Sequence, residues 1–273
     1  MPSKPKLGQN FLRDPQAIER IAAALGDLTG ETVIEIGPGQ GAITRALAAR
    51  AEHVIAVELD RQLAAYLRSQ FPAERVRVVE ADVLQFNFAA AAGEAGKRLP
   101  VAGNLPYYIT SPILMKLAQN HPALDRAVLM VQRELADRIV AAPGSRDYGV
   151  LSVAVQMYGP VEPLFTLPPT AFSPPPDVHS TVFRWRFAPR FAEFAVDEAG
   201  FLRFVREIFA QKRKTLANNL RAAGYGPGAI QDAIAGASIA PQARAEVLSL
   251  GEMARLWIEL KKERADPALG SAL

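Results

Sequence analysis

The chain has 273 residues, of which 49% are hydrophobic and 22% charged, and a net charge of +3, so it can form one large domain or two smaller ones. It has no cysteine and only three scattered histidines, which excludes disulfides, thiolate metal sites and a cysteine nucleophile and predicts no metal site. No apolar run is long enough for a membrane span, and none follows the charged N-terminus, so we expect a cytoplasmic protein without a membrane partner.

Short apolar segments typical of buried strands alternate with helical segments along the first two-thirds of the chain. Alternating strands and helices predict an α/β fold with a parallel, doubly wound, Rossmann-like sheet that binds ligands at the carboxyl ends of its strands. The predicted strands are 31–37, 53–60, 76–82, 99–104 and 126–132, and the predicted helices between them are 42–50, 62–71 and 111–120.

Three glycines follow the first predicted strand in the segment EIGPGQG. Gly37, Gly39 and Gly41 would let a ligand approach the backbone at the N-terminus of the next helix. A tight turn between strand and helix would explain the same glycines. The spacing G-x-G-x-G also differs from the G-x-G-x-x-G of nicotinamide-binding folds.

An acidic residue ends each of the next two predicted strands. Glu58 follows Gly37 by 21 residues, where an acid commonly holds the ribose hydroxyls of a nucleotide, and Asp82 could accept a hydrogen bond from an adenine amino group. Taken singly, Glu58 could form a surface salt bridge and Asp82 could stabilise a turn. Their succession favours an adenosine-bearing cofactor. No Walker lysine follows the glycines, which favours S-adenosyl-L-methionine over a triphosphate.

The segment NLPYYIT begins where the fourth predicted strand ends. The side-chain oxygen of Asn104 and the carbonyl of Leu105 could accept both N–H hydrogens of an adenine N6 amine and turn its lone pair toward a sulfonium methyl. Pro106 would fix the direction of that carbonyl, and Tyr107 would stack on the base. The alternative is a turn whose tyrosines fill the core, and for Tyr108 we expect that alternative.

The composition and periodicity of the sequence change beyond the fifth predicted strand. Residues 159–176 contain seven prolines and predict an irregular passage between edge strands, and the alternating residues 177–187 predict an edge strand. Beyond residue 190 the periodicity is helical, including the segment FLRFVREIFAQKRKTLANNL. We therefore predict two domains, 1–187 and a small all-helical domain at 188–273.

Basic residues are concentrated near the start of the helical region. Residues 186–221 hold eight basic and four acidic side chains, and the pI of the chain is about 9.2. Such an excess could meet the phosphates of a nucleic acid, or it could be a solvated helix face. Lys212, Arg213 and Lys214 are the candidate phosphate contacts, although consecutive residues cannot share one face of a helix.

Five blocks together resemble the bacterial 16S ribosomal RNA adenine N6,N6-dimethyltransferases, and NLPY resembles the catalytic motif of adenine amino-group methyltransferases. The resemblance runs nearly from end to end, with one departure, since Tyr108 stands where many relatives carry asparagine. The blocks are LGQNFL (7–12), VIEIGPGQGAIT (33–44), GNLPYYIT (103–110), LPPTAFSPPPDVHSTVFRW (167–185) and QKRKTLANNL (211–220).

The resemblance implies a class I methyltransferase sheet and the transfer of two methyl groups from S-adenosyl-L-methionine to each of two adjacent adenines. These adenines would lie in a hairpin loop near the 3′ end of 16S rRNA in the immature 30S subunit, and the enzyme would be monomeric. Asn10 and Leu12 would close over the cofactor, and Phe172 would stack on the target base opposite Tyr107. The remaining cofactor contacts would be Gly37, Gly39, Glu58, Asp82 and Asn104.

Two other functions remain open from the sequence. The first is methylation of adenine N6 in 23S rRNA by a resistance-type enzyme, which would share the fold and the asparagine-aromatic motif. The second is a non-catalytic RNA-binding factor for ribosome assembly. The basic segment 211–220 and the proline-rich block favour the 16S enzyme over the first, and the filled cofactor and catalytic positions argue against the second.

Overall fold

The computed structural model describes residues 10–265, with nine strands and eleven α-helices in that range, so residues 7–9 of the block LGQNFL lie outside the described residues. The strands are β1 Phe11–Leu12, β2 Thr32–Ile36, β3 His53–Glu58, β4 Val76–Glu80, β5 Leu99–Asn104, β6 Leu124–Gln132, β7 Val161–Leu167, β8 Phe172–Ser173 and β9 Ser180–Arg186. The helices are α1 Pro15–Ala24, α2 Ala42–Ala48, α3 Arg61–Gln70, α4 Phe88–Ala95, α5 Thr110–Gln119, α6 Arg133–Val140, α7 Val150–Met157, α8 Glu198–Ile208, α9 Leu216–Ala222, α10 Pro227–Gly236 and α11 Leu250–Ala265.

Seven strands form one mixed sheet in the order β4-β3-β2-β5-β6-β9-β7. The first five in that order are parallel, and β9 and β7 are antiparallel to their neighbours. The strand β2 lies between β3 and β5, so the order reverses there and the carboxyl ends of these three strands meet at a crevice. The predicted α/β class with a Rossmann-like sheet is confirmed.

The central strands are continuous apolar runs because helices cover both faces of the sheet. On one face, Ala17 and Ile21 of α1 pack in one cluster with Val33, Val54 and Val128 of the sheet. Helix α1 starts at Asp14, whose side chain accepts hydrogen bonds from the backbone N–H groups of two first-turn residues, and α3 is capped in the same way.

Two predictions for the proline-rich region are wrong. Residues 161–167 form a strand, β7, which lies at the edge of the sheet and accommodates Pro163 at a shift in register. Residues 180–186 form β9, which pairs with β6 on one side and β7 on the other and is therefore interior rather than an edge strand. An edge strand tolerates proline because the missing N–H faces away from the ladder.

The chain divides into two compact units. The first comprises the residues up to 136 and 159–188 and contains the sheet. The second comprises 137–158 and the residues from 189 on, so a segment from the middle of the chain belongs to it. Among residues 10–265, no helix has both the length and the apolar character that crossing a membrane requires.

The second unit is helical around an aromatic core. The rings of Phe204 and Trp257 stack with centroids 5.3 Å apart, and the hydroxyl of Tyr158 donates to the carboxylate of Glu198. The predicted helical stretch through Lys212, Arg213 and Lys214 is wrong, because α8 ends at Ile208 and α9 begins at Leu216. These three residues lie in a turn, so the restriction to one helix face does not apply to them.

Candidate active site

A cleft opens at the carboxyl ends of β2, β3 and β5. Its lining brings together nearly all of the predicted cofactor and catalytic positions, from segments that are far apart in the sequence. These positions are Asn10, Leu12, Gly37, Gly39, Glu58, Asp82, Asn104, Leu105, Pro106 and Tyr107. Phe172 and Gly41 are the predicted positions in this unit that do not line the cleft.

The glycine-rich turn lets one segment close over the cleft. Gly37 and Gly39 both have positive φ angles, +65° and +57°. A Cβ added to Gly39 would lie 3.0 Å from the ring of Phe11, so the absence of a side chain gives Phe11 room beside the turn. The next residues reinforce this arrangement, because Arg13 donates a 2.6 Å hydrogen bond to Gln40. Phe11 is a cleft residue that the sequence reasoning did not identify.

Glu58 is held in a fixed orientation at the end of β3. It is only 4% exposed, so the alternative of a surface salt bridge is wrong. Its Oε2 accepts a hydrogen bond from the N–H of Gly39 at 3.0 Å, and its Oε1 accepts one from the N–H of Asp60 at 2.9 Å. Burial raises the pKa of Glu58, and the backbone N–H groups oppose that shift. Each oxygen has a second lone pair that a hydroxyl donor can use.

Asp82 stabilises a turn and also lies at the cleft. Its Oδ1 accepts a 2.9 Å hydrogen bond from the N–H of Leu84, which stabilises the turn after β4. The residue also lines the cleft, together with its neighbours Ala81 and Val83. The second carboxylate oxygen of Asp82 takes no part in that bond, so it can accept a hydrogen bond from an amino group.

Glu35 is a buried acid that the sequence reasoning overlooked. It lies within β2, is almost fully buried, lines the cleft, and its Oε2 has no hydrogen-bond partner. Burial raises the pKa of Glu35 to about 8; contact with Thr44 opposes the shift and the charge of Glu58 adds to it. A charged residue in the middle of an otherwise apolar strand was the available signal, because buried strands rarely carry one without a function.

The charge of the cleft favours a cationic ligand. The described residues that line it include three carboxyl side chains, Glu35, Glu58 and Asp82, and no lysine, arginine or histidine. Burial raises the pKa of Glu35 to about 8, so that carboxyl does not count as a negative charge at neutral pH. Such a lining is unsuited to a di- or triphosphate, which requires cations or a P-loop. S-adenosylmethionine carries no phosphate and has a sulfonium and an ammonium group, so the residues present fit it. Among residues 10–265 no group of histidine and carboxylate side chains is arranged to hold a metal ion.

Asn104 ends β5, and its amide has a defined orientation. Its Nδ2 donates a 3.0 Å hydrogen bond to the carbonyl of Asn10, so its Oδ1 remains available as an acceptor at the cleft. Leu105 is anchored because its N–H donates to the carbonyl of Met130 on β6. Pro106 has φ −64°, and its carbonyl accepts from the hydroxyl of Thr110 at the start of α5. These contacts make the segment after β5 rigid.

The two tyrosines after Pro106 have different environments. The hydroxyl of Tyr107 is 2.7 Å from Oγ of Ser180 on β9, and burial raises the pKa of Tyr107. Tyr108 lines the cleft and is 60% exposed. The expectation that Tyr108 fills the core is therefore wrong.

Phe172 is placed in the core rather than in the cleft. It is 4% exposed, and its strand β8 pairs with β1 so that Phe172 lies opposite Leu12. Its ring belongs to the cluster that contains Leu12 and Ala17. The stacking role that the resemblance implies requires an open ring face, which this buried side chain does not present.

The basic residues lie in the second unit. Lys212, Arg213 and Lys214 are all exposed in the turn between α8 and α9. The turn is held by the buried side chain of Asn219. Its Oδ1 accepts a hydrogen bond from the N–H of Gln211, and its Nδ2 donates one to the carbonyl of Gln211. The turn therefore presents three consecutive cations on a fixed backbone.

Residues 2–262 match the family described as ribosomal RNA adenine dimethylase. The chain is 56% identical over 259 residues to the ribosomal RNA small subunit methyltransferase A of Acidobacterium capsulatum. The matched region covers 94% of this chain and 91% of that protein. It is 47% identical over 271 residues to the protein of the same name from Koribacter versatilis, with 95% of each chain covered.

Two solved structures have similar folds. The 23S rRNA methyltransferase ErmE superposes with a TM-score of 0.70 at 26% identity, over 92% of this chain and all of that one. A dimethyladenosine transferase from Plasmodium falciparum superposes with a TM-score of 0.77 at 22% identity, over 93% of this chain and 98% of that one.

Proposed function

The chain belongs to the ribosomal RNA adenine dimethylase family, and we propose that it dimethylates N6 of two adjacent adenines in a hairpin loop near the 3′ end of 16S rRNA. It is a methyltransferase with S-adenosyl-L-methionine as its methyl donor. The single observation that carries the site assignment is the meeting of Asn104, Glu58, Asp82 and the glycine turn in one acidic cleft.

The acidic side of the cleft is proposed to hold the cofactor. Bound S-adenosyl-L-methionine supplies a methyl group on an electrophilic sulfonium. Glu58 would accept hydrogen bonds from the ribose hydroxyls, since both of its oxygens are already oriented by backbone N–H groups. Asp82 would accept from the adenine amino group, and Asn10 and Leu12 would cover the site from the N-terminal segment. Gly37 and Gly39 would allow close backbone approach.

Asn104 and Leu105 are proposed to position the substrate amine. The lone pair of an adenine N6 amine is delocalised into the ring, which makes the nitrogen a poor nucleophile. Oδ1 of Asn104 and the carbonyl of Leu105 would accept its two hydrogens and favour a tetrahedral nitrogen. The orientation of the Asn104 amide supports this role, because its Nδ2 is already used by Asn10. The displaced proton passes to water, so positioning supplies most of the rate.

Tyr107 is proposed to stack on the target adenine. Its ring is fixed at the hydroxyl end by Ser180 and at the backbone by the rigid turn after Pro106. A stacked base gains roughly 1–3 kcal/mol from such a platform. Loop adenines are suitable targets because a single-stranded base leaves its stack at low cost. Phe172 does not provide a second stacking surface, because its ring is buried.

The helical unit is proposed to bind the RNA through its basic turn. Lys212, Arg213 and Lys214 would contact phosphates and so position the RNA without reading its sequence. The partner is 16S rRNA within the immature 30S subunit, and the enzyme acts as a monomer in the cytoplasm, where the subunits mature.

The test compares methyl transfer from labelled S-adenosyl-L-methionine to 30S and 50S precursors that lack the modification. We expect transfer to the 30S particles only, and primer extension should map it to two adjacent adenines. Transfer to 50S particles would indicate the 23S enzyme instead, and binding without transfer would indicate an assembly factor.

A substitution tests the role of Asn104. We expect Asn104→Ala to lower kcat at least about 100-fold while the dissociation constant for S-adenosyl-L-methionine changes only a few-fold, because the main cofactor contacts are on other strands. An equal loss of cofactor affinity and transfer would show that Asn104 serves binding rather than the positioning of the amine.

A further inference from the structure

Tyr108 is a large aromatic residue that is exposed at the cleft. It is 60% exposed, the largest exposed fraction among the large hydrophobic side chains that are exposed in residues 10–265. It lines the same cleft as Asn104 and Tyr107. Its backbone is nonetheless fixed, because the short 3-10 turn Tyr107–Ile109 is closed by a hydrogen bond from the N–H of Ile109 to the carbonyl of Pro106.

The residue before Tyr108 reaches away from the proposed adenosine site. Glu58 ends β3 and Asp82 follows β4, and both strands lie on one side of β5 in the sheet. The hydroxyl of Tyr107 contacts Ser180 on β9, which lies on the other side of β5, beyond β6. Neighbouring strands are about 4.8 Å apart, so the two sides are separated by several strand spacings. The side chain of Tyr107, the proposed stacking residue, therefore reaches away from the acids proposed to hold the cofactor.

The two tyrosines cannot stack on the same base. Consecutive Cα atoms are about 3.8 Å apart, and successive side chains of a 3-10 turn point about 120° apart. Tyr107 is committed to its contact with Ser180, whereas the ring of Tyr108 remains open to solvent at the rim of the cleft. The side chains thus offer two neighbouring aromatic surfaces with different directions.

We propose that Tyr108 is a stacking platform for the RNA base next to the target adenine, an inference that rests on the proposed function. When a target base leaves its stack, the adjacent base loses a partner, and an exposed aromatic ring can replace it. A phosphate would find no cationic partner at this rim, because the described cleft lining contains no basic residue. Contact through an uncharged base face needs no such partner.

The experiment measures equilibrium binding of the cofactor-free protein to unmethylated 30S particles at fixed salt. The variants are Tyr108→Ala, Tyr108→Phe and, as a matched control, Tyr66→Ala, which removes a tyrosine that is 45% exposed and does not line the cleft. We expect Tyr108→Ala to weaken binding about 5- to 150-fold, the range for loss of one stacked base. Tyr108→Phe and Tyr66→Ala should stay within about twofold of wild type.

Two further measurements separate the possible explanations. The dissociation constant for S-adenosyl-L-methionine, from calorimetry, should be unchanged in Tyr108→Ala, and its melting temperature should match wild type because the ring is exposed. The proposal would be overturned if Tyr108→Ala bound the particles as tightly as Tyr66→Ala does. A loss confined to cofactor affinity would overturn it too, because it would mean that the ring covers the cofactor.

The proposed function and this inference fail in different ways. If wild-type protein methylates the particles and Tyr108→Ala binds them normally, only the stacking role of Tyr108 is refuted. If wild-type protein neither binds nor methylates 30S particles, the proposed substrate is wrong and the inference falls with it. If Tyr108→Phe lost as much particle affinity as Tyr108→Ala, stacking would be overturned in favour of a contact through the hydroxyl.

Discussion

The buried carboxyl of Glu35 makes the stability of the protein depend on pH. Its pKa is about 8 in the folded protein, against an ordinary value of 4.5. Between these values the folded state keeps a proton that the unfolded state has lost, so stability falls as the pH rises through this window and levels off above pH 8. Each pH unit costs about 1.4 kcal/mol, or about 5 kcal/mol over the whole window.

The substitution Glu35→Gln removes this ionisation while keeping the shape of the side chain. From pH 5.5 to pH 7.5, wild type should lose about 3 kcal/mol of unfolding free energy relative to Glu35→Gln. The other ionisable groups are common to both proteins, so the difference between the two pH profiles isolates Glu35. The measurement is urea unfolding of both proteins at several pH values in this interval. Parallel profiles would refute the reasoning, because they would mean that Glu35 is ionised in the folded cleft.

Three other predictions concern the backbone and the basic turn. Gly159→Ala should lower the free energy of unfolding by at least about 3 kcal/mol, because φ is +142° and a Cβ would lie 1.9 Å from a backbone carbonyl oxygen. Gly93→Ala, within α4, should raise it by roughly 0.5–1 kcal/mol, because the new Cβ meets no atom within 4 Å. Urea unfolding of both variants tests this. Replacing residues 212–214 with alanine should reduce the slope of log affinity for 30S particles against log salt by about 2, and an unchanged slope would remove them from the interface. Asn219→Ala, which releases the turn but keeps its charges, should weaken particle binding with little change in that slope; wild-type affinity would contradict the role of Asn219.

The part of the site that could be predicted from the sequence depends on local pattern. The strands β2, β3 and β5 are apolar runs bounded by polar residues, so their ends can be located within about two residues. Parallel strands bring their carboxyl ends to one edge, which is why Glu58 and Asn104 were expected in one cleft. The cleft contains both, and the orientation of each is fixed by backbone groups.

The errors arose where structure depends on distant parts of the chain. The alternation of polar and apolar residues in 177–187 indicates which side chains face each side of a sheet. Whether β9 is an edge strand depends on its pairing with β7, and that alternation does not encode this pairing. The run through residues 209–215 keeps an approximately helical pattern, yet Thr215 caps a new helix there through a hydrogen bond from the N–H of Asn218. A threonine before an apolar turn was a readable start signal.

The orientation of the amide proposed to position the substrate shows why a motif alone does not define the site. NLPY supplies Asn104, but its Nδ2 donates to the carbonyl of Asn10, 94 positions earlier in the chain, and this contact determines which amide atom would be left for a substrate. The segment that contains Asn10 is held in turn by the pairing of β1 with β8 and by the hydrogen bond from Arg13 to Gln40 beside the glycine turn. The same segment therefore lines the cleft proposed for the cofactor and uses Nδ2 of Asn104, which leaves Oδ1 as the free amide atom. Because both tasks depend on one strand pair, loosening β1 should lower cofactor affinity and transfer together, whereas a change at Asn104 itself should separate them.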